Sequence, residues 1–164
     1  MKFSKVSSNQ FYEDCVKLFG AVDENLIKEL WENIKLPKRG TKGSAGYDFF
    51  SPINIQLAPG QNITVPTGIR CEMEDGWVLT AHMRSSLGFK YQLALANTTA
   101  IIDQDYFFAD NEGHIMAKLV NRGNQPVELN IGDKFMQGIF LQYGITEDDD
   151  TVEERTGGIG STGK

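Results

Sequence analysis

The spacing of apolar side chains predicts two helices near the start of the chain. Between residues 9 and 34, apolar residues recur at intervals of three and four positions in two groups: Phe11, Cys15, Leu18 and Phe19, then Ile27, Leu30, Trp31 and Ile34. Gly20 is a helix stop between the groups, Asp23 can cap the second helix, and Pro37 closes the region. We therefore predict a helical insertion over residues 9–34, after a first strand near residues 2–7.

From about residue 45 onwards, apolar residues alternate with polar ones, which predicts strands. The alternating runs include Ile53, Ile55 and Leu57; Ile69, Cys71 and Met73; and Ile115, Ala117 and Leu119. Turn-forming sequences separate the runs, among them Pro59-Gly60, Asp75-Gly76 and Ile131-Gly132-Asp133. Many short strands joined by turns indicate a mainly β fold, a sandwich or a barrel, and the pattern does not choose between a jelly roll and other β topologies.

Residues 144–164 differ from the rest of the chain. They contain the acidic run 147–150 and the Gly-rich segment RTGGIGSTGK, with few apolar residues between them. Such a segment buries too little apolar area to offset the entropy of ordering it. Composition alone therefore predicts a flexible C-terminal tail.

Composition and charge narrow the function classes. The 164 residues suit one domain, 1–164, and a net charge of −6 argues against a protein that binds duplex nucleic acid directly. Two cysteines, Cys15 and Cys71, do not make a disulfide framework, so we expect buried, reduced thiols. Neither a signal peptide nor the ~18-residue apolar run of a membrane span is evident. We expect a cytoplasmic protein without a membrane partner.

Three segments carry groups suited to an anionic substrate, although each also has an ordinary structural interpretation. Residues 84–88 offer a guanidinium and two hydroxyls at the end of a β-like run, or a surface turn. Asp103 and Asp105 would share one face of a strand and could supply a general base, or form an acidic turn. Arg155 precedes a Gly-rich segment that could be a phosphate-binding lid or a plain tail.

Other phosphate and metal motifs are missing from the sequence. It contains no GxxxxGK[ST] loop, so phosphate binding must use other groups. His82 and His114, with the two cysteines, do not have zinc-ligand spacing. We expect both histidines to be surface or strand residues without a catalytic role.

Taken together and in order, five segments resemble the motifs of the homotrimeric dUTPase family. They are SAGYDFFSP at 44–52, RSSLGFK at 84–90, NTTAIIDQDY at 97–106, IGDKFMQGIF at 131–140 and RTGGIGSTGK at 155–164. The match extends over residues 44–164, and five ordered motifs are much more specific than any one of them.

The resemblance implies a jelly-roll-like β-barrel of the trimeric dUTPase type. Three subunits would share their active sites, and the tail of one would close over the site of a neighbour. The implied reaction is Mg²⁺-dependent hydrolysis of dUTP to dUMP and pyrophosphate, which limits uracil incorporation into DNA and supplies dUMP for dTMP synthesis. The expected partners are dUTP, Mg²⁺ and further copies of the chain.

The resemblance also implies roles for individual residues. Asp103 is the base that activates water for in-line attack on the α-phosphate, and Tyr106 lies beneath the deoxyribose, where it leaves no room for a 2′-hydroxyl. The residues implied near the nucleoside are Asn97, Ile101, Ile102 and Met116, whose backbone hairpin matches uracil better than cytosine. Those implied at the phosphates are Arg84, Ser85, Ser86 and Gln137, joined from the tail by Arg155, Gly160, Ser161 and Thr162. Mg²⁺ would bind mainly to triphosphate oxygens, with Asp48 reached through water.

Three features depart from the family pattern. Ile159 stands where the family has an aromatic residue that stacks on uracil. Residues 107–114 are longer than the usual tight turn after the third motif, which predicts an elongated hairpin. The insertion 9–34 is expected to pack on the barrel or on a neighbouring subunit.

Two alternatives to this interpretation are dCTP deaminase and a non-catalytic regulatory protein on the same scaffold. A dCTP deaminase needs a catalytic Glu on the strand after the third motif, where this chain has Lys118, which cannot replace a carboxylate in proton transfer. A pure binding module would have no use for Asp103, Tyr106, Arg84 and Arg155 together.

Overall fold

The N-terminal region forms a short strand and the two predicted helices. In the computed structural model, which describes residues 1–153, 155 and 157, strand β1 is Lys2–Lys5, helix α1 is Ser8–Phe19 and helix α2 is Glu24–Asn33. The Ser7 hydroxyl accepts a hydrogen bond from the Gln10 N–H, and the Asp23 carboxylate accepts one from the Leu26 N–H, so each helix begins at a side-chain cap. The predicted first strand is too long, because Ser7 caps α1 instead of continuing β1.

The rest of the chain is mainly β, as predicted. The strands are β2 (Lys38–Arg39), β3 (Tyr47–Phe50), β4 (Ile55–Leu57), β5 (Asn62–Pro66), β6 (Ile69–Glu72), β7 (Trp77–Met83), β8 (Leu93–Leu95), β9 (Ala100–Ile102), β10 (Met116–Asn121), β11 (Val127–Leu129) and β12 (Lys134–Gln142). A short helix α3, Ser85–Tyr91, follows β7, and a 3-10 helix, Gln104–Phe108, follows β9. The prediction of an elongated hairpin at 107–114 is therefore wrong.

The strands pair in four ladders. The largest sheet has the order β2-β3-β12-β7-β9, and a second has the order β5-β10-β8. The remaining pairs are β1-β6 and β11-β4. Within the described residues these ladders do not join into one closed barrel, although their buried faces share a single core.

The helical insertion packs on the β core. Ile27 and Ile34 are buried, and the Trp31 indole N–H donates a 2.8 Å hydrogen bond to the Val6 carbonyl, just after β1. Lys5 Nζ donates to the Trp31 carbonyl at 2.9 Å and lies 4.9 Å from the Trp31 ring centroid. These contacts confirm the packing predicted for the stripe of apolar residues on α2.

Buried polar and thiol groups complete the core. Cys15 and Cys71 are buried and free, as predicted, and burial raises the pKa of each thiol to about 12, so both are protonated at neutral pH. His82 lies on β7, but His114 is 0% exposed, so the expected surface or strand position is wrong for His114. In the part of the chain that the structure describes, no helix is long and apolar enough to cross a membrane.

Candidate functional site

Residues from three separate segments meet across the three inner strands of the large sheet, β3, β12 and β7. Asp48 on β3 is the register partner of Gln137 on β12, and Gln137 is in turn the partner of His82 on β7. Arg84 follows β7 directly, and its backbone N–H donates to the Phe135 carbonyl at 3.2 Å. The pairing of β12 between β3 and β7 therefore brings the predicted phosphate-binding residues Arg84 and Gln137 close to Asp48.

Asp48 forms ion pairs with two basic side chains, Arg84 and Lys134. One carboxylate oxygen lies 3.1 Å from Arg84 Nε, and the other lies 2.9 Å from Lys134 Nζ. Asp48 is only 8% exposed, so solvent screens these contacts less than it would on an open surface. The sequence interpretation missed Lys134, although it lies within the fourth motif. The ion pair with Asp48 fixes the Arg84 guanidinium at the end of β7, where its remaining N–H groups can bind an anion.

The two serines after Arg84 are exposed at the start of α3. Ser85 and Ser86 begin this helix, so the surface turn that the sequence offered as the structural alternative is wrong, whereas the guanidinium and the two hydroxyls do lie at the end of β7. Gly46, in the first motif, lies against Gln137, and a Cβ built on it would be 2.5 Å from Gln137 Oε1. Glycine at position 46 therefore leaves space for the Gln137 side chain.

A second group of predicted residues surrounds the end of β9. Arg155 Nη2 lies 2.7 Å from Asp103 Oδ2, and Arg155 Nε lies 2.9 Å from Asp105 Oδ1. The guanidinium is also 5.7 Å from the centroid of the Tyr106 ring. The two carboxylates do not share a strand face, as the spacing suggested, because β9 ends at Ile102 and the 3-10 helix follows immediately. Arg155 instead bridges them, so it contacts Asp103 directly in this structure.

The Tyr106 hydroxyl is held by two hydrogen bonds. It donates to the His114 carbonyl at 2.8 Å and accepts from Asn111 Nδ2 at 2.9 Å. Burial raises the pKa of the Tyr106 hydroxyl, so it remains a donor at neutral pH. The sequence interpretation did not identify Asn111 or His114 as contacts of this side chain.

A pocket of about 310 Å³ lies between the large sheet and the three-stranded sheet. Its lining includes Asn97 and Met116, two of the residues predicted near the nucleoside, together with Lys118. Ile101 and Ile102, both on β9, are not among the described residues that line the pocket. Ile102 is buried in the core, and Ile101 is exposed. The described lining is largely apolar and contains no carboxylate. Its size suits one small planar ring.

The two groups of site residues lie far apart in one chain. Ala81 on β7 pairs with Ala100 on β9 in an antiparallel ladder. Arg84 lies three residues beyond Ala81 and Asp103 three residues beyond Ala100 in the opposite direction, so roughly 20 Å separates them at about 3.4 Å per residue. That span exceeds the reach of one arginine side chain, so Arg84 and Asp103 of the same chain do not meet.

The C-terminal tail is described only in part. Arg155 is described, whereas Ile159, Gly160, Ser161 and Thr162 lie outside the described residues. The departure from the family pattern at Ile159 therefore stays a prediction from the sequence. Among the described residues, no three His, Cys, Asp or Glu side chains group closely enough to hold a metal ion by themselves.

Comparison with known proteins gives a consistent result. The family model for dUTPase matches residues 32–163. The deoxyuridine 5′-triphosphate nucleotidohydrolase of Lactococcus lactis is 40% identical over 133 residues, 79% of this chain and 89% of that protein. The Haemophilus influenzae protein of the same name is 34% identical over 147 residues, 85% of this chain and 94% of that protein.

Solved structures show the same similarity. The dUTPase of Streptococcus mutans superposes with a TM-score of 0.67 and 32% identity, covering 90% of this chain and 99% of that one. The dUTPase of phage phi11 of Staphylococcus aureus, in a structure that describes a structural Mg(II) ion, superposes with a TM-score of 0.62 at 22% identity, covering 74% of this chain and 92% of that one.

Proposed function

This chain belongs to the dUTPase family and is a dUTP diphosphatase, and we propose that it hydrolyses dUTP by attack of a water molecule, activated by Asp103, on the α-phosphate. The observation that carries the mechanism is the position of Asp103, an exposed carboxylate beside Tyr106 at the end of β9. In the cell, this reaction limits uracil incorporation into DNA and supplies dUMP for dTMP synthesis.

Asp103 is suited to the role of base. Half of its side chain is exposed, so a water molecule can reach it, and its partner Arg155 belongs to the tail and not to the β core. A carboxylate within hydrogen-bonding distance of water accepts its proton as the oxygen attacks phosphorus. Pyrophosphate then leaves in line with the attacking oxygen, and dUMP keeps the new oxygen.

The pocket beside β10 supports selection of the uracil ring. Asn97 and Met116 line it, and the Tyr106 ring lies next to the same segment of chain through its contact with the His114 carbonyl. A ring that occupies the space below the sugar excludes a 2′-hydroxyl by contact. We therefore assign the uracil to this pocket and the deoxyribose to the space above Tyr106.

The small number of carboxylates near Asp48 is consistent with an Mg²⁺ ion that the substrate, more than the protein, would bind. Mg²⁺ keeps several waters and uses few protein ligands when it binds triphosphate oxygens, so a protein cage of carboxylates is not required. Each carboxylate oxygen of Asp48 already accepts one cation contact and has a second lone pair that can accept from a metal-bound water. When bound, Mg²⁺ would offset the charge of the phosphates and orient the leaving pyrophosphate.

The separation of Arg84 from Asp103 supports a site built from more than one copy of the chain. If Asp103 of one copy supplies the base, Arg84, Ser85, Ser86 and Gln137 of another can bind the phosphates. The single chain also leaves Phe89, Ile101 and Phe108 exposed, at 89%, 60% and 72%. Apolar surface of this kind is usual at protein–protein interfaces. We propose a homotrimer, whose mass in solution would be three times the 18.3 kDa of one chain.

Substrate selection can be measured with dUTP, dCTP, dTTP and UTP, each with Mg²⁺ and in ¹⁸O-labelled water. We expect pyrophosphate from dUTP at least about 100-fold faster than from the others, because the pocket and Tyr106 exclude other bases and a 2′-hydroxyl. The label should appear in dUMP, and EDTA should stop the reaction.

Two results would reject this proposal. Label in pyrophosphate would mean that water attacks the β-phosphate. Ammonia released from dCTP would indicate deamination, for which the described pocket lining, with Lys118 and no carboxylate, offers no proton carrier.

A further inference from the structure

The helical insertion touches the chain segment that supports Tyr106. Ser7 caps helix α1, and its backbone N–H and hydroxyl both donate to the Glu112 carboxylate at 2.7 Å. One turn later, the Phe11 ring lies 6.0 Å from the His114 ring, centroid to centroid. Residues 112–114 lie between the 3-10 helix that carries Tyr106 and strand β10, so α1 is fastened to the connection between them.

A further contact between α1 and this segment is a buried pair of side chains. His114 Nδ1 lies 2.7 Å from Asp14 Oδ2, and His114 is fully buried. His114 Nε2 accepts the Gly68 N–H at 2.7 Å, so the ring proton is on Nδ1 and is donated to Asp14. Gln10 Nε2 donates to the same Asp14 oxygen at 2.9 Å. Every polar atom of the imidazole is therefore satisfied, and the ring has one orientation.

The electrostatics of Asp14 agree with this geometry. Burial raises the pKa of Asp14, but hydrogen bonds from His114 and Gln10, together with the nearby charge of Lys17, outweigh burial and hold the pKa below its ordinary value. Asp14 therefore accepts the His114 hydrogen bond as a carboxylate at neutral pH. The contact connects residues 100 positions apart in the chain, so it ties the insertion to the catalytic region.

The fixed orientation of His114 extends to Tyr106 through the backbone. The His114 carbonyl accepts the Tyr106 hydroxyl at 2.8 Å, and Asn111 Nδ2 donates to the same hydroxyl at 2.9 Å. Two residues further along, Met116 lines the nucleoside pocket. A small movement of His114 would therefore shift both the tyrosine ring and the adjoining wall of the pocket.

We propose that Asp14, on the helical insertion, is a positioning residue for sugar selection. Through His114 it holds the Tyr106 ring so close to the sugar that a 2′-hydroxyl does not fit. This inference rests on the proposed place of Tyr106 beneath the deoxyribose. It gives the insertion a role in specificity as well as in packing. Exclusion by contact depends on distances of tenths of an ångström, so a buried support for the ring determines how well ribonucleotides are rejected.

The test compares two substitutions of Asp14 in the full-length enzyme. In Asp14→Asn the amide oxygen can still accept from both His114 and Gln10, whereas in Asp14→Ala both donors lose their partner. The readout is kcat/KM for dUTP divided by kcat/KM for UTP. We expect Asp14→Ala to lower this ratio about tenfold, partly through a higher KM for dUTP, and Asp14→Asn to keep it within about twofold.

A matched control separates positioning from general loss of stability. Asp23 caps α2 in the same insertion, accepting the Leu26 N–H at 2.9 Å, and among the described residues it forms no hydrogen bond or ion pair with the segment that supports Tyr106. Asp23→Ala should lower the melting temperature and leave the dUTP/UTP ratio unchanged. An Asp14→Ala enzyme that loses stability but keeps the wild-type ratio would overturn the proposal.

Two tyrosine variants complete the design. Tyr106→Phe removes only the hydroxyl that bonds to His114 and should also lower the ratio, which tests the same support if Asp14→Ala does not fold. An unchanged ratio in Tyr106→Phe would overturn the inference. Tyr106→Ala removes the ring, and if that variant keeps the ratio, the failure lies with the proposed sugar contact itself and not with Asp14.

Discussion

Replacement of Asp103 by asparagine is expected to lower kcat about 10²–10⁴-fold while leaving nucleotide binding nearly unchanged. The amide has the shape of the carboxylate but cannot accept a proton from the attacking water. Single-turnover kinetics with dUTP would measure the chemical step, and titration with a non-hydrolysable analogue would measure binding.

Asp105 provides a matched control for this experiment. It lies two residues away, has a side chain equally exposed at 49%, and bonds to the same guanidinium. Asp105→Asn should change kcat less than about threefold, because Asp105 is not assigned to the base. Equal losses in the two variants would mean that the pair acts through Arg155, and near-normal turnover in Asp103→Asn would exclude Asp103 as the base.

Substitution of Arg155 by alanine is expected to lower kcat/KM for dUTP about 10²–10³-fold, because in the role that the family resemblance implies a phosphate would lose a bidentate partner. In this structure the Arg155 side chain is 13% exposed and contacts Asp103, so it must leave the carboxylate before it can bind a phosphate of the substrate. Steady-state kinetics across a range of dUTP concentrations would show whether kcat or KM carries the loss.

Arg155→Lys separates charge from geometry, since lysine keeps the charge but not the two-pronged fork. We expect its kcat/KM to lie between those of wild type and Arg155→Ala. If Arg155→Ala were more active than wild type, the contact with Asp103 would be inhibitory and the arginine would have no part in phosphate binding.

Local patterns in the sequence were sufficient to predict the helices and the β character of the chain. The stripe of Ile27, Leu30, Trp31 and Ile34 predicted α2, and Asp23 caps it as expected. Such predictions succeed because caps and helical periodicity depend on residues within one or two turns. The end of β1 was misplaced because Ser7 suits both a strand end and a helix cap.

Contacts between distant residues could not be predicted in this way. The spacing of Asp103 and Asp105 suggested a shared strand face, but β9 has only three residues and a 3-10 helix begins beyond it. His114 appeared to be an unremarkable histidine because its partner Asp14 lies 100 positions earlier. Buried polar pairs of this kind depend on the complete fold, so no local sequence pattern predicts them.

The motifs predicted which residues form the site, but they did not predict how far apart those residues lie within one chain. Arg84 and Asp103 belong to neighbouring motifs in the sequence, yet the antiparallel register of β7 and β9 carries them in opposite directions. Only the ladder register reveals that separation. The resemblance to trimeric dUTPases implied shared sites, and the register supplies an independent physical reason for them.

The most direct test of this account is activity in a mixture of two inactive variants, Arg84→Ala and Asp103→Asn, unfolded and refolded together in equal amounts. If each site takes Arg84 from one copy and Asp103 from another, about a quarter of the sites in random oligomers contain both residues, and dUTP hydrolysis should recover to about that fraction of wild type. The same variants refolded separately and then combined serve as the control. A co-refolded mixture no more active than its separate components would show that Arg84 and Asp103 do not act together across copies, and would contradict the account.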